Sequence, residues 1–194
     1  MTASFTRYYK KTNLTVILLF LLFVVTAVSA ADSRLLIKSA ELISSDEQYL
    51  LNADLELNLS DEVEDALNRG VQLNFLVEFQ LTSPRKYWFD DEIITVSRNV
   101  TFSYHALSRQ YLINRNNHQQ SFVNLAEAKA EFSRLHEWKM FDKSLLRADE
   151  PYEAALRIRL DHSKLPKPIQ VDALGSEPWN MISQRYRWTP SLAP

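Results

Sequence analysis

The sequence predicts a mainly β fold, an antiparallel β-sandwich with one or two short helices, within which an immunoglobulin-like topology is one arrangement. Three observations predict it. Apolar and polar residues alternate with a period of two over long stretches. The positions between the apolar ones are polar, as in sheets with one packed and one wet face. Only two segments combine helical spacing with capping residues. The rival architecture is a curved sheet wrapping a single helix.

The elements follow in chain order. Arg34–Ile43 is a short strand candidate. From Tyr49 to Leu59, Tyr49, Leu51, Ala53, Leu55, Leu57 and Leu59 alternate with Asn52, Asp54, Glu56 and Asn58, the pattern of a half-buried strand. Ser60 and Asp61 then offer capping side chains, and Glu62 and Glu64 favour a helix start. Val63, Ala66 and Leu67 form a stripe, and Gly70 ends it, giving two helical turns between strands. Val71, Leu73, Phe75, Val77, Phe79 and Leu81 make the next strand, with only Leu76 out of pattern, and a tight polar turn follows Thr82.

A third long strand runs from Glu92 to about Leu107. Its apolar row of Ile94, Val96, Val100, Phe102 and Tyr104 contains Arg98, which marks a bulge or an edge position there. Gln110–Asn114 is a shorter strand, and Asn114–Ser121 reads as a polar loop. Asn124 and Glu127 open a helix expected to reach about His136, with Ala128, Phe132 and Leu135 at helical spacing. Trp138–Phe141, Tyr152–Asp161 and Ile182–Trp188 complete the strands.

The 194 residues allow one ordinary domain with an appendage. Arg7, Lys10 and Lys11 precede an apolar run from Leu14 to Val25, and Val28-Ser29-Ala30 supplies small residues for cleavage. Residues 1–30 therefore read as a signal peptide or an N-terminal membrane anchor, and 32–190 as a single exported β-rich domain. The uncharged stretch from Leu14 to Ala31 is close to the ~17 residues that suffice to cross a bilayer, so both fates stay open. In both, the body faces the periplasm, since the positive charges precede the apolar run.

Two glycines and no cysteine delete whole classes of chemistry. Glycine-rich phosphate loops, dinucleotide turns and nucleophile elbows are impossible, and so are disulfides, thiol nucleophiles and thiolate metal sites. An exported domain without disulfides is characteristic of bacterial periplasmic proteins. Without residues 1–30 the chain keeps 19 Lys+Arg against 24 Asp+Glu, a formal charge of −5, which argues against nucleic acid as a partner.

No catalytic residue, metal ligand or cofactor site emerges from spacing. His105, His118, His136 and His162 lie far apart, and none forms a metal-binding pair. Asp161-His162-Ser163 holds three triad residue types, but neighbours on a strand end point apart, so a turn built on Asp161 is expected. Asp90, Asp91 and Glu92 lack the alternation of a calcium loop and are read as solvating the start of a strand. Arg185-Tyr186-Arg187-Trp188 is read as a strand rather than a base-stacking platform.

The candidate binding site is an aromatic tip, Ser83-Pro84-Arg85-Lys86-Tyr87-Trp88-Phe89, at a predicted strand connection. Exposed, Arg85, Tyr87, Trp88 and Phe89 would form a protein-binding hot spot or a membrane-interface anchor. The packing alternative folds Tyr87 and Phe89 back over the sandwich end and leaves Trp88 outside.

In the C-terminal third, Leu156-Arg157-Ile158-Arg159-Leu160-Asp161, then Leu165-Pro166-Lys167-Pro168-Ile169, then Trp179 and Ser183 before a closing aromatic strand carry a resemblance. With the leader and the early strands, the chain resembles domain-of-unknown-function family 4390, exported proteins of Gram-negative bacteria, over most of residues 32–190. The resemblance implies an envelope location and a signalling context beside a membrane sensor kinase, and it carries no catalytic residue. The two prolines are read as preventing helix continuation and suiting an edge or crossover. The reading is a non-catalytic envelope protein-interaction module whose partner is an unknown envelope protein. A carrier of an apolar ligand between the sheets and a hydrolase are the alternatives.

Overall fold

The structure, a computed structural model, describes residues 34–116, 118–147, 150–173 and 175–192. The leader and Asn117 lie outside the described residues. Strand β1 (Arg34–Ser45) turns at Asp46, φ 35°, into β2 (Gln48–Asn58). Helix α1 (Asp61–Asn68) leads to β3 (Leu73–Ser83), and β4 (Asp91–His105), β5 (Gln110–Arg115) and β6 (His118–Phe122) continue as a meander. Helix α2 (Leu125–Phe132) leads to β7 (Arg134–Asp142). Strand β8 (Glu153–Leu160), helix α3 (Lys167–Ala173) and the short β9 (Tyr186–Trp188) finish the chain.

Two antiparallel sheets result, β1-β2-β7 and β6-β5-β4-β3-β8-β9. The period-two rows explain their placement. Leu73, Phe75, Val77, Phe79 and Leu81 of β3 are buried, as are Tyr49, Leu51, Ala53, Leu55 and Leu57 of β2. These inner rows meet across the layers: Phe141 of β7 lies 6.1 Å from Phe79 and 5.3 Å from Tyr49. Where the small sheet ends, α2 takes over the cover. Its Phe132 ring sits 4.8 Å from Phe75 and 6.1 Å from Phe102. The mainly β, sandwich-like expectation holds, and the helix of the rival architecture fills one part of the second layer. The three-plus-six division with a four-strand meander differs from the four-plus-three immunoglobulin order.

The capping residues work as their sequence positions suggest. Ser60 Oγ accepts from Val63 N at 3.3 Å and Asn124 Oδ1 from Glu127 N at 2.8 Å, satisfying donors that a helix start leaves unpaired. Gly70, φ 93°, sits just past the end of α1, where a side chain would be strained.

Four sequence expectations need correction. The 114–121 stretch is no loop: β5 and β6 form a hairpin about Asn116, φ 48°. Strand β6 lies at an edge and is polar except for Phe122 at its end, so it lacks the apolar alternation that reveals a strand. The second helix stops at Phe132 rather than near His136, because Ser133 O accepts from Leu55 N at 2.8 Å and Leu135 pairs with Ala53 in the small sheet. Burial of Leu135 outweighs helical spacing. Pro166 and Pro168 start helix α3 instead of marking an edge or crossover, since a missing N–H costs nothing in a first helical turn. Last, β9 covers only three residues, and Ile182 contributes an isolated bridge to Arg159.

Candidate functional site

Strand β3 pairs with β4 along its full length, from Leu73↔Phe102 to Ser83↔Asp91. Beyond Ser83 the chain makes a loop over Pro84–Asp90 rather than the tight turn expected after Thr82. Proline has no N–H to continue the ladder. Arg85 then closes the neck of the loop: its backbone N–H donates to Asp90 Oδ1 at 3.3 Å, and its guanidinium pairs with the Asp91 carboxylate. Gln80 Nε2 donates to Glu92 at 3.0 Å. Asp90, Asp91 and Glu92 thus shape the base of the loop.

The three aromatic residues point away from this neck. Tyr87, Trp88 and Phe89 are 84%, 80% and 94% exposed. Lys86 Nζ lies 5.8 Å from the Tyr87 ring centre. The packing alternative, in which Tyr87 and Phe89 fold over the sandwich end, is therefore incorrect: alternation ends at Ser83 and the loop carries the rings out. Each such ring buries roughly 150–250 Å² in a contact. Three consecutive ones represent on the order of 10 kcal/mol of gross apolar burial, set against association costs of about 4–15 kcal/mol.

The other candidate groups are engaged in holding the fold. Asp161 Oδ1 accepts from Ser163 N at 3.1 Å and from Ser163 Oγ at 2.6 Å, the expected turn, while His162 Nε2 faces the Trp179 carbonyl oxygen at 2.7 Å. The hydroxyl thus faces the carboxylate, and the imidazole is turned elsewhere. His105 Nδ1 lies 3.0 Å from Ser108 Oγ in the β4–β5 turn. Among the described residues no group of three or more His, Asp or Glu is placed to hold a metal ion. Arg187 pairs with Glu153 at 3.2 Å, and Trp188 turns inward to lie 6.2 Å from Phe79, as the strand reading requires. Between the layers the Tyr49, Phe79 and Phe141 rings form one packed group, and the Phe75, Phe102 and Phe132 rings form another where α2 covers the large sheet.

The C-terminal motif residues serve the architecture. Ser183 is buried; its Oγ accepts from Ile158 N at 2.9 Å and its N–H donates to Ile158 O at 2.8 Å, so one residue stands in for a strand partner beside β8. Trp179, 2% exposed, donates from Nε1 to Glu62 at 2.6 Å and ties the C-terminal segment to α1.

One feature of the site was only partly legible in the sequence. Strand β5 pairs with β4 only from Val100 to His105, so Asp91–Asn99 has β3 on one side and no strand on the other among the described residues. The available signals were the unequal strand lengths and Arg98 in an apolar row. The edge position expected at Arg98 is correct.

Fold and site together define a two-sheet antiparallel β domain that presents an exposed aromatic tip beside a bare strand edge. The chain matches the family described as Domain of unknown function (DUF4390) over residues 32–189, and it belongs to that family. Comparison with curated proteins and with solved structures gave no match. Among the described residues no helix is long and apolar enough to cross a membrane.

Proposed function

We propose that this protein is an exported, non-catalytic interaction module of the Gram-negative envelope that grips a partner protein with its aromatic tip. Exposure of Tyr87, Trp88 and Phe89 on a pinned loop carries the reading. Three adjacent rings in water are costly unless they serve a contact, and Trp, Tyr and Arg dominate binding hot spots. Arg7, Lys10 and Lys11 ahead of the apolar run support delivery across the inner membrane, with the leader removed or kept as an anchor. The body then works in the periplasm, and an envelope protein such as a membrane sensor kinase is the first partner to test.

The test uses the full chain expressed in its own envelope, comparing native protein with Trp88→Ala for co-purified partners. Loss of a hot spot of about 2 kcal/mol lowers capture by about 30-fold at unchanged protein level. Equal capture by both proteins would remove the tip from the function.

A further inference from the structure

We infer that the bare edge of β4, Asp91–Asn99, receives an extended segment of the partner protein by strand addition, with the aromatic tip clasping one end of that segment. The inference rests on the interaction reading above and specifies how the contact is made.

Among the described residues, unequal strand lengths leave the edge free. Strand β4 spans 15 residues and β5 only six, and their pairing stops at Val100↔Arg115. Along the overhang, the backbone groups that do not face β3 have no strand to bond among the described residues. Such a row is complementary to another extended backbone. Its inner side chains, Ile94 and Val96, are only half-buried, and among the described residues no neighbouring strand covers them. An added strand with apolar residues at alternate positions would complete that cover.

The charges select the occupant further. Arg98 stands in the inner row opposite Val77 of β3. Its Nη2 donates to the Lys139 carbonyl oxygen at 2.9 Å, while its Nε is buried without an acceptor. Among the described residues no carboxylate lies within ion-pair distance of Arg98, although the other cations of the large sheet's β8 and β9, Arg157, Arg159 and Arg187, each have one. An inward cation on an edge repels an all-apolar strand and favours one with an acidic residue at that level. At the opposite end lie Asp90, Asp91 and Glu92, beside the tip. The fitting segment is therefore extended and alternately apolar, acidic where it meets Arg98 and basic or aromatic where it meets the tip.

The test places a photoreactive residue singly at 88, 95, 97, 99 and 101 of the full chain in intact cells, with crosslinked positions mapped by mass spectrometry. Positions 95, 97 and 99 are exposed and tolerate replacement, and position 101, where β5 covers the edge, is the control. Strand addition predicts crosslinks from 95, 97 and 99 that step along one partner segment about two residues at a time, with capture lost at 101. Capture from 88 with none from 95, 97 and 99 overturns the strand addition and leaves the interaction reading standing. Capture of a second copy of this chain, or scattered sites without a register, also overturns it. Absence of capture from every position, 88 included, overturns the interaction reading itself.

Discussion

Arg98 of β4 donates from Nη2 to the backbone carbonyl of Lys139 in β7 at 2.9 Å, so one guanidinium ties an unpaired edge of the large sheet to an unpaired edge of the small one. The contact explains how a cation sits in an apolar row without unfolding it. Arg98→Met keeps the stem and removes the bond; it should cost about 1–2 kcal/mol. Denaturant unfolding of the variant against native protein measures the loss, and an unchanged midpoint would remove Arg98 as a tie between the layers.

The bare edge also has a signature in the free protein. Amides of residues 92–99 should fall into two alternating classes, those facing β3 exchanging slowly and the others quickly, whereas residues 100–102, which have β3 on one side and β5 on the other, should be protected on both sides. Residue-resolved hydrogen exchange reads this directly. Uniform protection over 92–99 would mean that something already covers the edge.

Two tryptophans separate binding from packing. Trp88 is 80% exposed and Trp179 is 2% exposed. Trp88→Ala should change stability by no more than about 0.5 kcal/mol, while Trp179→Ala should cost about 3–5 kcal/mol. Thermal unfolding of the two variants makes the comparison. A large loss for Trp88→Ala would place that ring in the core.

Ser183→Ala leaves Ile158 N–H buried without its acceptor and should cost about 1–3 kcal/mol. Ser183→Thr retains the hydroxyl and should recover most of it. If alanine and threonine behave alike, the hydroxyl is not what holds the C-terminal segment on β8.

Tyr111 gives the pH dependence. Burial first, then the charge of Glu64 and the neighbouring Tyr104, push its phenol above the ordinary value. The folded state therefore holds the proton more tightly than the unfolded chain. Its contribution is complete below the unfolded value of about 10 and is lost as pH rises through the folded value. Tyr111→Phe should flatten this alkaline decline and also lose the hydrogen bond to Asn68, 2.7 Å long, lowering stability at neutral pH. Urea midpoints from neutral to alkaline pH check both effects.

Much of the fold was legible because burial writes itself into spacing: the odd rows of β2 and β3 and the caps Ser60 and Asn124 are local signals. Strand β6 was hidden because an edge strand with a single apolar residue, Phe122, shows no apolar period. The end of α2 was hidden because Leu135 is claimed by a partner more than eighty residues earlier, Ala53, which local spacing does not encode. At the site, the residues of the tip were visible as a cluster of aromatics, but their exposure was not. It depends on Arg85 bonding Asp90 and Asp91 across the loop. Unequal strand lengths and Arg98 hinted at the bare edge, but its extent needed the β4–β5 register, which only the folded chain supplies.

The most direct measurement of the central claim is crosslinking in intact cells from a photoreactive residue at position 88, with mass spectrometry of what is captured. The account predicts one envelope protein, joined through a defined segment. Capture of lipid alone, or of nothing, would contradict it.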